Sequence, residues 1–127
     1  DLAFAKIKQD AGASFLTTQL FFDVGLYNAF VERARASGIT IPIVPGIMPV
    51  TNVSQVERFT RMCGASIPEE LLDRLRPVQE DAGAVMATGI EWAITQCRDL
   101  LEAGAPGIHF YTLNKSHATR SILAALR

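Results

Sequence analysis

Few residues in the chain have the types and spacing to do chemistry. His109 and His117 have no second metal ligand at a useful spacing, and Cys63 and Cys97 form no CxxC pair. Ser116 and His117 are adjacent in sequence, which is not in itself triad geometry. His109 falls within the apolar run IHFYTL (residues 108–113), where a histidine satisfied inside the core is the simpler expectation. The stretch GAPG (residues 104–107) is a weak phosphate-loop signal, and neither a GxGxxG nor a Walker sequence is present. Two amides carry more. Gln19 interrupts an apolar, β-branched segment and could both donate to and accept from the edge of a polar heterocycle; a core glutamine bonded to backbone is the alternative. Gln55 and Phe59 are four residues apart, so one helical face would carry an amide beside a ring, a platform for a flat ligand or simply core.

These side chains need elements to hold them. Residues 1–11 pattern as a helix with Leu2, Ala5 and Ile7 toward a core, stopped by Gly12. Residues 14–22 (SFLTTQLFF) suit a strand buried on both faces, as in a parallel sheet. Asp23 is placed to cap a helix over 24–37, with Leu26, Phe30, Val31 and Ala34 on one stripe and Gly38 ending it. A second strand is expected over 39–44, running into a rigid PGIMP loop (residues 45–49). Ser54 and Glu57 have capping-box spacing for a helix over 54–63, where Thr51 and Asn52 compete as cap. Pro68 followed by Glu69 and Glu70 opens a short helix over 68–76. A longer helix fits 80–103, with Val85, Ile90, Ala93, Ile94, Cys97 and Leu101 along one side, ending at Gly104. Residues 108–113 form the third strand, and a last helix runs from Ser116 to Ala125.

Strands separated by helices predict an α/β fold of parallel βα units with right-handed crossovers. Three units fit either part of a (β/α)8 barrel or part of a doubly wound sheet. In both, working residues gather at the C-terminal ends of strands, which selects Gln19 and Asp23, residues 45–55, and residues 111–115. Strand alternation puts Phe15, Thr17, Gln19 and Phe21 on one face, and His109, Tyr111 and Leu113 on another. If both faces point into a barrel, Gln19 and Tyr111 approach the same mouth.

Composition narrows the class. The chain has 127 residues, a formal charge of −1, 49% hydrophobic and 20% charged residues, the balance of one folded globular domain. It carries no basic surplus for a nucleic acid and no polybasic run for an anionic membrane. Residues 41–50, the longest apolar stretch, contain Pro42, Pro45 and Pro49 and are too short and broken to span a bilayer. Two unpaired cysteines and no signal-like start predict free thiols in a reducing, cytoplasmic compartment. The chain opens at Asp1, without Met, inside a helical pattern, as a piece of a longer protein would.

Four segments together resemble the methylenetetrahydrofolate reductase family. They are DAGASFLTTQLFFD (residues 10–23), IPIVPGIMPVTN (41–52), CGASIPEELLDRL (63–75) and GIHFYTLNKS (107–116), in the family's order and spacing. The resemblance covers essentially the whole chain. It implies that residues 1–127 are the C-terminal portion, about three βα units, of a (β/α)8 TIM barrel catalytic domain. It further implies NAD(P)H as cosubstrate, bound FAD, and reduction of 5,10-methylenetetrahydrofolate to 5-methyltetrahydrofolate by a homo-oligomeric full-length protein. By the family pattern Gln19 and Gln55 bond the pterin, and Phe59 packs against folate or the dinucleotide. Tyr111, Leu113 and Lys115 line the folate side of the mouth. Family members usually carry Arg where this chain has Lys115, which exchanges a planar fork for a point charge. Asp1 and Lys8 match positions that contact FAD, whereas Phe4 and Ile7 stand where some members use polar contacts. The family's acid glutamate and its flavin-contacting aspartate belong to earlier strands, so the 127 residues alone are expected to be inactive. Two other readings stay open: a different metabolite-binding barrel, and a non-catalytic binding module derived from the fold.

Overall fold

The computed structural model describes residues 2–63, 67–111 and 117–126, without the side chains of residues 20, 55, 56, 59, 60 and 63. Its elements are α1 (Leu2–Asp10), β1 (Leu16–Leu20), α2 (Val24–Ala36), β2 (Ile43–Ile47), α3 (Val53–Cys63), α4 (Glu69–Leu75), α5 (Ala82–Glu102), β3 (His109–Phe110) and α6 (His117–Leu126). A single 3-10 turn over Arg76–Val78 follows α4.

Local chemistry explains the boundaries. Gly12, Gly38 and Gly104, which the sequence placed just beyond helix ends, are the described glycines with positive φ (106°, 88° and 96°). The Asp23 carboxylate accepts the Gly25 N–H at 2.8 Å and starts α2. Asp81 does the same for α5, accepting from Ala84 at 3.1 Å.

The sheet is parallel throughout, in the order β1-β2-β3. Ile43 and Ile47 of β2 turn one face toward α2, α5 and α6, where Tyr27, Ala34, Ala93, Cys97, Leu100 and Ile122 complete the main core. Leu2 and Ala5 of α1 pack against the same cluster. On the opposite face, register aligns Thr17 with Val44 and Gly46 with His109, and both Thr17 and His109 are exposed. Helices gathered on one face of an open parallel sheet are what a sector of a (β/α)8 barrel presents; a doubly wound sheet would carry helices on both faces. A second cluster caps the C-terminal strand ends, joining Phe22, Met48, Val50, Leu71, Leu75 and Val85.

Several expectations need correction. The second strand lies at Ile43–Ile47, four residues later than expected, and takes in Pro45 and Gly46. The Gly46 N–H faces β1, so by alternation Pro45, which has no N–H, faces β3 just ahead of the first β2–β3 pair, Gly46 with His109. No ladder bond is lost there. On α2, Tyr27 rather than Leu26 enters the core, because its hydroxyl finds the Ile43 carbonyl at 2.7 Å. On α5, Leu100 is buried and Leu101 is 44% exposed, since positions 93, 97 and 100 share one side of the helix. His109 is no core histidine. It stands exposed on the open face, edge-on to the Tyr111 ring at 4.7 Å between centroids.

Candidate functional site

α1, β1 and α2 enclose a groove of about 450 Å³, lined among others by Phe4, Lys8, Gln19, Leu26 and Phe30. Of the described residues that line it, Lys8 is the one cation and none is a carboxylate. An ammonium beside the neutral side chains described here favours an anionic or strongly polar ligand group. The placement of Lys8 is fixed by its neighbour. Gln9 accepts the N–H groups of Thr40 (2.6 Å) and Ile41 (3.1 Å) and donates to the Gly38 carbonyl (3.1 Å), tying the end of α1 to the turn before β2. Arg35 secures the same turn by donating to the carbonyls of Ile39 and Ile41.

Gln19 is exposed, so its amide is available to a ligand rather than spent in the core. It sits in an irregular stretch of β1. Thr17 pairs with Val44 and Leu20 with Gly46, so three steps along β1 oppose two along β2, a β-bulge. The bulge overturns the simple alternation expected here: Phe21 is buried in the main core, while Phe15 is 59% exposed. Tyr111 approaches the bulge from β3. Its hydroxyl donates to the Thr18 carbonyl at 2.8 Å, so Tyr111 and the residue preceding Gln19 do meet at the strand ends.

Gln55 and Phe59 both fall within α3, and their side chains lie outside the described residues, as do Asp1, Leu113 and Lys115 altogether. Among the described residues no group of three His, Cys, Asp or Glu side chains could hold a metal, and no helix is long and apolar enough to cross a membrane.

The site also depends on residues that sequence reasoning passed over. Trp92 and Gln96 lie one turn apart on α5. Trp92 Nε1 donates to the Phe22 carbonyl at 3.1 Å, and Gln96 Nε2 to the Phe21 carbonyl at 2.9 Å, so α5 holds the segment that follows Gln19. A third α5 residue, Gly89, lies against the Val50 carbonyl so closely that a Cβ would overlap it. A polar residue and an isolated glycine on the apolar side of a long helix were the available signals. Cys97, fully buried on the same helix, has its thiol pushed up from 9.0 to about 11 by desolvation, which makes it an inert packing residue.

A parallel α/β sector with its helices gathered on one face, and an amide and an ammonium lining one groove beside β1, fits part of a barrel. A sequence model of the methylenetetrahydrofolate reductase family matches residues 1–127, and the chain belongs to that family. It is 44% identical over 127 residues to a probable methylenetetrahydrofolate reductase (NADPH) of Caenorhabditis elegans, covering 99% of this chain and 19% of the relative. Methylenetetrahydrofolate reductase 1 of Schizosaccharomyces pombe is 40% identical over 121 residues, covering 95% and 20%. The 5,10-methylenetetrahydrofolate reductase of Buchnera aphidicola (Schizaphis graminum) is 37% identical over 122 residues, covering 96% and 42%. The chain thus spans about a fifth of the length of the eukaryotic relatives. In fold it resembles a Clostridium thermocellum protein described as binding two copies of 5-methyl-5,6,7,8-tetrahydrofolic acid, with a TM-score of 0.57 and 19% identity over 98% of this chain and 46% of the other.

Proposed function

We propose that residues 1–127 form the C-terminal portion of the catalytic barrel of an NAD(P)H-dependent methylenetetrahydrofolate reductase, working in the cytoplasm as a homo-oligomer when full length. The observation that carries this is that an exposed amide, Gln19, and the ammonium of Lys8 line one groove, within a member of this family.

In that role Gln19 holds the polar edge of the pterin, donating and accepting at once while adding no charge that would have to be desolvated. Gln55 supplies the second amide, and Phe59 packs on the planar ring of folate or dinucleotide. Tyr111, Leu113 and Lys115 close the folate side. The Lys8 ammonium suits the phosphates of FAD, and Asp1 its ribityl hydroxyls. FAD, when bound, supplies hydride transfer from NAD(P)H to 5,10-methylenetetrahydrofolate. The proton donor for opening the methylene bridge comes from outside these residues, so the 127-residue chain binds and orients rather than completing the reaction.

The test is the visible absorption spectrum of the full-length protein, followed by stopped-flow traces of both half-reactions. A flavin spectrum that bleaches with NAD(P)H and recovers with 5,10-methylenetetrahydrofolate is expected. Gln19→Ala should slow the folate half-reaction much more than flavin reduction. A colourless protein that does not take up added FAD would sink the proposal, and equal loss of both half-reactions would remove Gln19 from its role.

A further inference from the structure

From the geometry around the β1 bulge we infer that Thr18 is a positioning residue: its side chain locks the bulge and thereby sets where the Gln19 amide meets a folate. The inference rests on the ligand role proposed for Gln19, and adds a residue that acts through it.

Three hydrogen bonds converge on Thr18. Its hydroxyl accepts the Gly46 N–H of β2 at 2.9 Å, a donor that a regular ladder would give to a main-chain carbonyl. The same hydroxyl donates to the Gln19 carbonyl at 2.9 Å, and the Thr18 carbonyl accepts the Tyr111 hydroxyl at 2.8 Å. One side chain therefore replaces a rung of the ladder and fixes the next peptide, while the third strand braces its main chain. Gly46 is what lets the parts converge. A Cβ there would stand 2.6 Å from both the Thr18 carbonyl oxygen and the Tyr111 ring. Bulges re-aim side chains at sites of function, and here the re-aimed residue is Gln19. The Tyr111 hydroxyl proton is committed to backbone, which makes bracing part of its work at the mouth.

Thr18→Val keeps the β-branched shape and removes both hydroxyl bonds; Thr18→Ser keeps the hydroxyl. The experiment uses the full-length protein with its flavin. It follows 5-methyltetrahydrofolate affinity by calorimetry, flavin reduction by NAD(P)H, and hydrogen exchange at the Gly46 amide. Thr18→Val is expected to weaken folate binding about tenfold, in keeping with one or two lost hydrogen bonds. Flavin reduction should stay within about twofold, because that half-reaction does not use the Gln19 contact. The Gly46 amide should exchange faster, and Thr18→Ser should restore both folate affinity and Gly46 protection. In a Gln19→Ala background Thr18→Val should add almost nothing, since the two residues act as one. Faster Gly46 exchange with unchanged folate affinity would overturn the inference, as would additive losses in the double variant. Unsubstituted protein that binds neither flavin nor folate would instead remove the functional proposal, while Gly46 exchange would still report on the lock itself.

Discussion

Gln96 reaches across 75 positions of sequence to place its side-chain amide 2.9 Å from the carbonyl of Phe21, at the end of the strand that carries Gln19. Gln96 is 4% exposed, so water cannot replace it. Gln96→Leu leaves a main-chain acceptor without its donor and should cost about 1–3 kcal/mol of stability. Gln96→Glu should be worse near neutral pH, because a buried carboxylate faces a carbonyl and neither donates. Burial raises the folded-state pKa of the introduced group above its unfolded value, so the folded state binds the extra proton and the penalty shrinks as pH falls. Denaturant unfolding at pH 5 and pH 8 checks both statements; a larger penalty at pH 5 would contradict them.

The contact of Gly89 with Val50 sets the distance between α5 and the chain leaving β2. Gly89→Ala gains about 1 kcal/mol of helix propensity. Its methyl would overlap a main-chain carbonyl rather than a flexible side chain, so α5 must shift. Overpacking of about 1–3 kcal/mol is expected to outweigh the gain. The midpoint of chemical unfolding should fall; a rise would show that the contact yields freely.

What could be read from sequence was what short-range chemistry dictates. Gly12, Gly38 and Gly104 ended their helices because only glycine takes that backbone angle cheaply, and Asp23 capped α2 through its own side chain. The bulge at Thr18 was invisible, since it exists only against Gly46 and Tyr111 from two other strands. The same cause reassigned Phe21: alternation counts residues along one strand, and an insertion in the pairing shifts every face beyond it. Of the candidate site, strand-end position singled out Gln19, but its exposure and the groove it shares with Lys8 came only with the packing of α1, β1 and α2. The support from Trp92, Gln96 and Gly89 was not legible either, because an amphipathic pattern marks which side of α5 is buried but not which carbonyls wait there.

Burial of Cys97 makes a prediction about alkaline pH. Desolvation holds its thiol protonated in the folded state up to about pH 11, against 9.0 ordinarily. Between those values the unfolded chain releases a proton that the folded chain keeps, so stability must fall as pH rises through this window and be unaffected below it. Tyr27 acts in the same direction: burial raises its hydroxyl above 10.0, with Arg35 opposing in part. Unfolding midpoints should decline above pH 9, and Cys97→Ala should flatten the decline without abolishing it. The native thiol should also resist iodoacetamide at pH 8 and react once the chain is unfolded. Rapid alkylation of the folded protein would show that α5 opens far more readily than its packing implies.

Lys6 and Lys8 lie on the same helix with different surroundings, and the proposed function gives a task to the second alone. Lys6 is engaged with Asp10 at 2.9 Å on an exposed helical face, an arrangement that contributes little. Lys8 lines the groove that also holds Gln19. If Lys8 meets the phosphates of FAD, Lys8→Gln should lower the flavin retained by the full-length protein on dilution. Lys8→Glu should lower it further, by placing like charges together. Lys6→Gln should leave retention unchanged, because among the described residues its charge is paired with Asp10 and lies outside the groove lining. The flavin-to-protein absorbance ratio after gel filtration, at low and at 0.5 M salt, gives the readout. Charge pairing also requires that the unsubstituted protein retain less flavin at the higher salt while Lys8→Gln responds weakly, since screening removes an interaction the variant has already lost. Equal retention by Lys8→Gln and Lys6→Gln would mean that the groove takes its ligand without help from this ammonium.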